Sequence, residues 1–368
     1  MTLTRTRAQH DPSTTHQQVR VTVGVDTHQL THTAALLDSH HRRLGHQEFP
    51  ATTTGYQDLL TWAAGHGQLD GFGVESTGSY GAGLTRHLLA SQQTELRSAE
   101  IFEVNRPEKA TRVKHGKSDP IDAYSAAEQV LTGRACNRPK LKTGVVEAIR
   151  AVKVPRDAAV KNRTAAFGQL RDLITAAPGA LHDDLIGLTA RGRVTKALAM
   201  RPDPTQIADP VHATRHALRA LARRIKALDL EIAEADKILT RLTKQAAPSL
   251  IAMRQVGPQT AAQLLITAGQ NIDRMTSEAT FAKLTGVAPL PASSGKTTRH
   301  RLNRGGDRQA NSALYMIIVG RMRNHPETRA YVARRRAQGK TNPEIIRCLK
   351  RHLARSIYKA LRDDLMTP

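Results

Sequence analysis

Four carboxylates and one serine of this 368-residue chain stand in settings that suit chemistry. Asp26 closes the run Val-Thr-Val-Gly-Val-Asp-Thr-His at 21–28, where Val19, Val21, Val23 and Val25 alternate with the period of a strand that has one buried face. Glu75 closes a second apolar run, Gly-Phe-Gly-Val-Glu-Ser. Asp119 and Asp122 sit in Lys-Ser-Asp-Pro-Ile-Asp-Ala, at the head of an Ala-rich segment of helical composition. Carboxylates three apart share a helix face. Acids gathered from two strand ends and a helix start can neutralise one or two Mg²⁺ ions, which activate an oxygen and clamp a phosphate. Ser294 lies directly before Gly295, whose missing side chain lets a phosphate come close to the backbone, and Lys296 and Arg299 follow to meet its charge.

Each of these residues also has a plain reading. A single Asp at a strand end starts many turns. Asp119 reads as a helix N-cap with Pro120 at the first helical position, and Asp122 then completes an arrangement like a capping box. The Ser-Ser-Gly-Lys stretch reads equally as a loop that holds phosphate through its backbone and Lys296. Taken singly, the helix pair and the serine favour these plain readings.

Charge ties the residues together. The chain carries a net charge of +23 with a pI near 10.7, so a polyanion is the expected partner. Residues 1–100 hold 7 Lys/Arg against 9 Asp/Glu, and the remaining residues hold 48 against 23, which sets an acidic head against a basic body. Within 296–362 there are 18 Lys/Arg and 3 Asp/Glu. Acids in the head and cations beyond it suit phosphodiester chemistry. Aromatic residues make up 3% of the chain, so backbone contact rather than base stacking should dominate. Cys136 and Cys348 stand alone, without the spacing of a zinc site or a disulfide framework. With no signal peptide and no apolar run near 18 residues, a cytoplasmic protein without a membrane partner is expected, nucleoid-associated when active.

The elements that must position these residues follow from periodicity. Residues 1–18 are polar and expected to be disordered. Strands at 19–26, 32–37 and 44–49 read as a meander, followed by a helix at 53–64, a strand at 72–75, a helix at 80–89 and a fifth strand at 96–101. This βββαβαβα order is that of an RNase H-like mixed sheet, giving an α/β domain over 19–139. Residues 140–246 read as helical, with Leu218, Leu221, Ile225, Leu228, Ile232, Ala235, Leu239 and Leu242 in alternating steps of three and four. That period suits a coiled coil between copies and equally a helical hairpin within one chain. Residues 247–368 read as a mainly helical third domain that opens on a helix-hairpin-helix-like element. There Gly257 makes a tight turn and the following helix offers free N–H groups to phosphate.

Jointly the motifs resemble those of the insertion sequence 110 family of DEDD transposases, related to the Piv DNA invertases. Gly24-Val-Asp26, Val74-Glu75-Ser-Thr-Gly and Lys117-Ser-Asp119-Pro-Ile-Asp122-Ala match its four acidic motifs in order and spacing. Gly286-Val-Ala-Pro-Leu-Pro-Ala-Ser-Ser294-Gly295 and Asn303-Arg-Gly-Gly-Asp-Arg-Gln match its carboxy-terminal pattern. Of the adjacent Ser293 and Ser294, only the one before glycine fits. The resemblance implies a RuvC-like catalytic domain whose Asp26, Glu75, Asp119 and Asp122 hold Mg²⁺. It implies that Ser294 attacks the DNA phosphate to leave a phosphoserine linkage, and that a structured bridge RNA pairs with donor and target DNA. It further implies self-association, with an active site shared between protomers of a tetramer. Gly257, Lys296, Arg299, Arg301, Arg304 and Arg308 are the expected nucleic-acid contacts. Two other readings compete: a RuvC-like structure-specific endonuclease in which water attacks, and a non-catalytic nucleic-acid-binding protein.

If phosphate contacts dominate, duplex DNA affinity should fall with salt at a log–log slope of roughly −0.9 per phosphate neutralised, with RNA bound at least as well as random duplex. Titrations at several ionic strengths check this. An affinity indifferent to salt would mean that the basic surface is only a solvated face.

Overall fold

The computed structural model describes residues 19–92, 96, 99–104, 118–293, 295 and 300–366. The expectation of disorder at 1–18 lies outside them. The chain divides into two compact units, Met1–Leu141 and Lys142–Pro368.

The amino-terminal unit follows from its period-2 runs. β1 (Arg20–Thr27), β2 (Thr31–Asp38), β3 (Arg43–Pro50), β4 (Gln68–Glu75) and β5 (Glu100–Val104) form one mixed sheet in the order β3-β2-β1-β4-β5. β1 pairs antiparallel with β2 and parallel with β4, and β4 pairs parallel with β5. Val21, Val23 and Val25 of β1 and Phe72 and Val74 of β4 pack on one face with Leu59, Leu60, Leu84 and Leu88, from α1 (Thr53–Ala64) and α2 (Ala82–Ser91). The alternate residues turn toward α3 (Asp119–Leu131), where Ala123, Tyr124 and Ala127 meet Ala35 and Leu37 of β2. This is the mixed-sheet α/β architecture of an RNase H-like fold. The fifth strand is 100–104 rather than 96–101. The Leu96 amide instead donates to Ser91 O at 2.9 Å, and β5 begins where Glu100 meets Gly71.

α3 lies against β1 and β4 at backbone contact. A Cβ on Gly24 would stand 2.0 Å from Ala123 O and 2.3 Å from Ala127 N, and one on Gly73 would stand 2.6 Å from Ala126 O. Ser118, extended at φ −149° and ψ 150°, occupies the N-cap position, so Asp119 is the first helical residue and Pro120 the second. The expected assignment of Asp119 as N-cap is one residue off, because the first intrahelical bond runs from Asp122 N to Ser118 O.

The second unit is helical. α4 (Gly144–Thr175) and α7 (Pro210–Ala246) run antiparallel, as the ion pairs Arg156–Asp236 at 2.9 Å and Arg163–Asp229 at 2.6 Å require. α5 (Gly179–Ile186) and α6 (Ala190–Ala199) pack beside them. The predicted seam is covered from within the chain. Leu218, Ala222 and Ile225 meet Ala166, Leu170 and Ile174 of α4, and Leu239 joins a core with Val146 and Ile149. A hairpin and a two-chain coil bury the same stripe, and here the hairpin does so.

The rest of the unit comprises α8 (Pro248–Ala252), α9 (Pro258–Ala268), α10 (Glu278–Leu284), a short hairpin of β6 (Leu290–Pro291) and β7 (His300–Arg301), α11 (Arg308–Asn324), α12 (Pro326–Ala337) and α13 (Asn342–Met366). Phe281, Leu314, Ile317 and Ile357 lie at the centre of its core. Among the described residues no helix is long and apolar enough to cross a membrane.

Gly24→Ala should destabilise the protein by about 1–3 kcal/mol, since the methyl group can enter only by lifting α3 off the sheet. Gly78→Ala, which would meet nothing within 4 Å, should sit near wild type in the same urea denaturation series. Equal stability of the two variants would sink this account of the contact.

Candidate metal centre and nucleic-acid interface

The period-2 pattern that buries the valines also aims the acids. On β1 the residues alternate with Val25, so Gly24, Asp26 and His28 share the α3 side, and on β4 Gly73 and Glu75 do the same. Gly24 pairs with Gly73 and Val25 with Val74, so the next residues along the two parallel strands are Asp26 and Glu75. Thr27 Oγ1 donates to Glu75 O at 3.2 Å across this end of the sheet. α3 begins over the same end. Asp26, Glu75 and Asp122 are buried, while Asp119 is half-buried.

Asp26, His28 and Asp119 form a cluster whose ligand atoms lie within 4.8 Å of one another. His28 Nε2 stands 3.3 Å from Asp26 Oδ2 and 3.4 Å from Asp119 Oδ1. Asp122 and Glu75 are not members of this tight group, although the charge of Asp122 acts on Asp26. The Asp26 carboxyl is held above the usual aspartate range. Burial is the main cause; His28 pulls it back down, and Asp122 and Asp119 push it up. The donor set fits a divalent cation: hard carboxylate oxygens suit Mg²⁺ or Mn²⁺, and an imidazole is a ligand that Mn²⁺ accepts more readily than Mg²⁺ does. A cation here would also relieve the repulsion that raises Asp26. His28 belongs to none of the acidic motifs singled out in the sequence. The signal was present as Asp-x-His at the end of a strand, since residues two apart project to the same face.

Capping does not account for Asp119. The N-cap side chain of α3 belongs to Ser118 and makes no capping hydrogen bond, and the Asp119 carboxylate meets His28 instead.

The basic residues belong to the second unit. Arg301 on β7, Arg304 in the loop and Arg308 at the start of α11 are exposed, and none has a carboxylate partner among the described residues. Gly257 is the N-cap of α9 in an extended conformation, φ −95° and ψ 169°, so no left-handed turn is made there; the left-handed residue is Gln255 at φ 66°. The Gly257 amide already donates to Thr260 Oγ1 at 3.1 Å. The tight turn expected at Gly257 therefore sits two residues earlier, and one of the N–H groups expected for phosphate is used internally. Ser294, Lys296 and Arg299 lie outside the described residues. Ser293 is exposed.

The carboxy-terminal motif has a packing reason of its own. A Cβ on Gly306 would stand 2.2 Å from Gly286 N and 2.4 Å from Gly286 Cα, so the two glycines lock the loop after α10 against the loop before α11. Asp307 caps α11 by accepting from Gln309 N and Ala310 N at 2.8 and 3.1 Å, and Thr267 Oγ1 donates to its other oxygen at 2.7 Å.

Two family models match the chain. The DEDD transposase model of IS110 covers residues 23–177. The model described as transposase of the IS116/IS110/IS902 family covers residues 247–333. Among curated relatives, an uncharacterized 43.6 kDa protein of insertion element IS110 from Streptomyces coelicolor is 36% identical over 117 residues, 32% of this chain and 29% of that protein. An uncharacterized 42 kDa protein of insertion element IS900 from Mycobacterium paratuberculosis is 27% identical over 146 residues, 39% of this chain and 37% of that protein. The matched stretches thus span well under two thirds of these two relatives. The protein assigned as the mini-circle transposase of IS117 in Streptomyces coelicolor is 24% identical over 398 aligned positions, covering 94% of this chain and 93% of its own length. With an acid-bearing mixed sheet in the first matched region and a basic helical unit in the second, the chain belongs to the IS110 family of transposases.

Proposed function

We propose that the protein cuts and rejoins DNA as an insertion-sequence transposase, with Ser294 as nucleophile and with Asp26, Glu75, Asp119 and Asp122 holding Mg²⁺. The observation that carries this reading is that Asp26 and Glu75 end the neighbouring strands β1 and β4 while Asp119 and Asp122 open α3, with the charges of both helix acids acting on Asp26. A divalent ion bound there supplies positive charge beside the reacting phosphate and lowers the pKa of an oxygen nucleophile. The Ser294 oxygen displaces a DNA oxygen from phosphorus and keeps the energy of the broken phosphodiester as a serine ester. A DNA hydroxyl then attacks that ester, releases the serine and joins the new strand. Such a sequence needs no ATP. His28 orients the Asp26 and Asp119 carboxylates toward a shared point.

We further infer that a structured bridge RNA guides the protein to donor and target DNA, and that it works as an oligomer. Support comes from the net charge of +23 and from the motif resemblance. The basic unit offers exposed Arg301, Arg304 and Arg308 without counter-charges to the phosphates of either nucleic acid.

Two outcomes follow. A reaction stalled with guide RNA, donor and target should yield a protein–DNA adduct that protease digestion shifts on a gel and that is lost in Ser294→Ala. If Ser293→Ala loses it instead, the nucleophile is the neighbouring serine. Efficient cleavage by wild type with no adduct would mean that water attacks, as in a RuvC-like nuclease.

The second outcome concerns the acids. Because the folded Asp26 carboxyl lies above its unfolded value, it binds protons more tightly in the folded state. Its effect therefore costs the metal-free protein stability as pH rises through that raised value. Asp26→Asn should raise the melting temperature in EDTA at neutral pH and abolish the further rise that Mg²⁺ or Mn²⁺ gives wild type. A variant that is still stabilised by divalent ions as wild type is would remove Asp26 from the metal site.

A further inference from the structure

Two adjoining cavities open in the helical unit beside the β6–β7 hairpin. The larger, of about 720 Å³, lies between the turn at 286–289, the stretch 300–303 and the first half of α13. The smaller, of about 610 Å³, shares Gly286, Leu302, Asn303 and Lys350 with it and continues past Arg304 and Arg308. Six cations line the larger cavity, namely Arg301, Arg335, Lys340, Arg347, Lys350 and Arg351, against one carboxylate, Glu344. That carboxylate is already engaged, accepting from Thr341 N and Oγ1 at 2.9 and 2.8 Å. Arg351 is paired with Glu278 at 2.5 Å. The other five cations have no ion pair among the described residues.

Lys350 is the most informative of them. It is 7% exposed, and its Nζ donates to Asn311 Oδ1 at 2.7 Å. The orientation of Asn311 is fixed from behind, since its Nδ2 donates to Thr285 O at 2.9 Å and Gly286 O at 3.1 Å. The oxygen must therefore face the lysine. One neutral acceptor serves an ammonium that has three donors. Burial pushes the Lys350 amine below the usual lysine range, and the Arg347 charge pushes the same way. A buried cation without a counter-charge is costly to the free protein, and a bound anion removes that cost.

The remainder of the wall identifies the anion. Val287, Pro289 and Leu302 give the cavity an apolar side, and its volume is in the range of organic-ligand sites and far larger than a bare phosphate needs. A group with one anionic end and one flat apolar end meets both walls. The cavity is also bordered by the hairpin whose connecting residues in sequence, 292–299, include Ser294.

We propose that this cavity seats one nucleotide of a DNA strand, unstacked from its neighbours. Its phosphate rests on Lys350 and Arg347, and its sugar and base lie against Val287, Pro289 and Leu302. This assignment rests on the transposase reading and adds to it a place where the DNA strand is gripped. Aliphatic side chains rather than aromatic rings form the seat, in keeping with a chain so poor in aromatics.

The test measures binding of a labelled single-stranded DNA oligonucleotide to the full-length protein at several salt concentrations, with RNA of the same sequence alongside. Lys350→Gln and Arg347→Gln should each weaken DNA binding roughly five- to tenfold and flatten the log–log salt dependence by about 0.7, the loss of one phosphate contact on a single strand. Lys359→Gln, which removes an exposed charge from the same helix, should change affinity less than twofold. If Lys350→Gln does not fold, the exposed Arg347 decides alone. Both variants behaving like Lys359→Gln would overturn the proposal, as would losses confined to the RNA arm. Binding requires no strand cleavage. A protein that forms no serine adduct yet shows these losses would thus sink the serine-nucleophile reading and leave the cavity standing, and the reverse pattern would sink the cavity alone.

Discussion

The amino-terminal unit depends on the distance between one helix and one sheet. α3 rests on β1 and β4 at a separation that no Cβ tolerates, with Gly24 and Gly73 beneath and Ala123, Ala126 and Ala127 above. Small residues on both sides let backbone approach backbone, so the head of the helix comes down over the ends of the two strands. Only at that separation do acids from the helix and acids from the strands reach one another. A larger residue at either glycine would lift the helix, and with it Asp119 and Asp122, away from Asp26. The glycines beside the acids in sequence therefore belong to the site as much as the acids do.

Gathering acids this way has an electrostatic cost that the structure displays openly. Asp26 is buried and crowded by Asp119 and Asp122, and its carboxyl is pushed up accordingly. His28, on the same side of β1, offsets part of that repulsion. The helical unit shows the opposite condition, a buried Lys350 whose only hydrogen-bond partner among the described residues is an amide oxygen. Each unit thus carries unmet charge of one sign, negative in the sheet unit and positive in the helical unit. A divalent cation would answer the first, and the proposed nucleotide phosphate would answer the second. Surface charge alone would not carry this argument, since exposed cations are well solvated and cost little.

In the helical unit, packing and function share residues in the same economical way. Gly286 and Gly306 touch backbone to backbone, and Asn311 bonds the carbonyls of Thr285 and Gly286 with one end while holding Lys350 with the other. The motif glycines and the Arg-Gly-rich stretch are therefore a scaffold first. They fix the walls of a cavity whose cations then have something rigid to work from. Of the described residues expected to contact nucleic acid, Gly257 is the one whose local role changes, because Thr260 takes its amide and Gln255 makes the turn.

The sequence alone determined whatever depends on local periodicity. Alternation at 19–26 and the apolar run ending at Glu75 dictated strands, the side of the sheet for Asp26 and Glu75, and, with the Ser-Asp-Pro helix start, the mixed-sheet class. Spacing between Leu218 and Leu242 dictated a helix with one buried stripe. Contacts between residues far apart in the chain were decided only by the tertiary structure. Periodicity shows that a stripe is buried but not by what, so α4 rather than a second chain emerged as its cover only from the antiparallel pairing of Arg156 with Asp236 and Arg163 with Asp229. The fifth strand was misplaced because its start is set by register with Gly71, which leaves no local mark. His28 looked like any exposed histidine until α3 brought Asp119 within 3.4 Å of it. Lys350 looked like any lysine of a basic helix until Asn311, 39 residues away, was found facing it inside a cavity wall. Strand and helix are written in neighbours along the chain. A site is written in neighbours across it, and those are set by which small residues let two backbones meet.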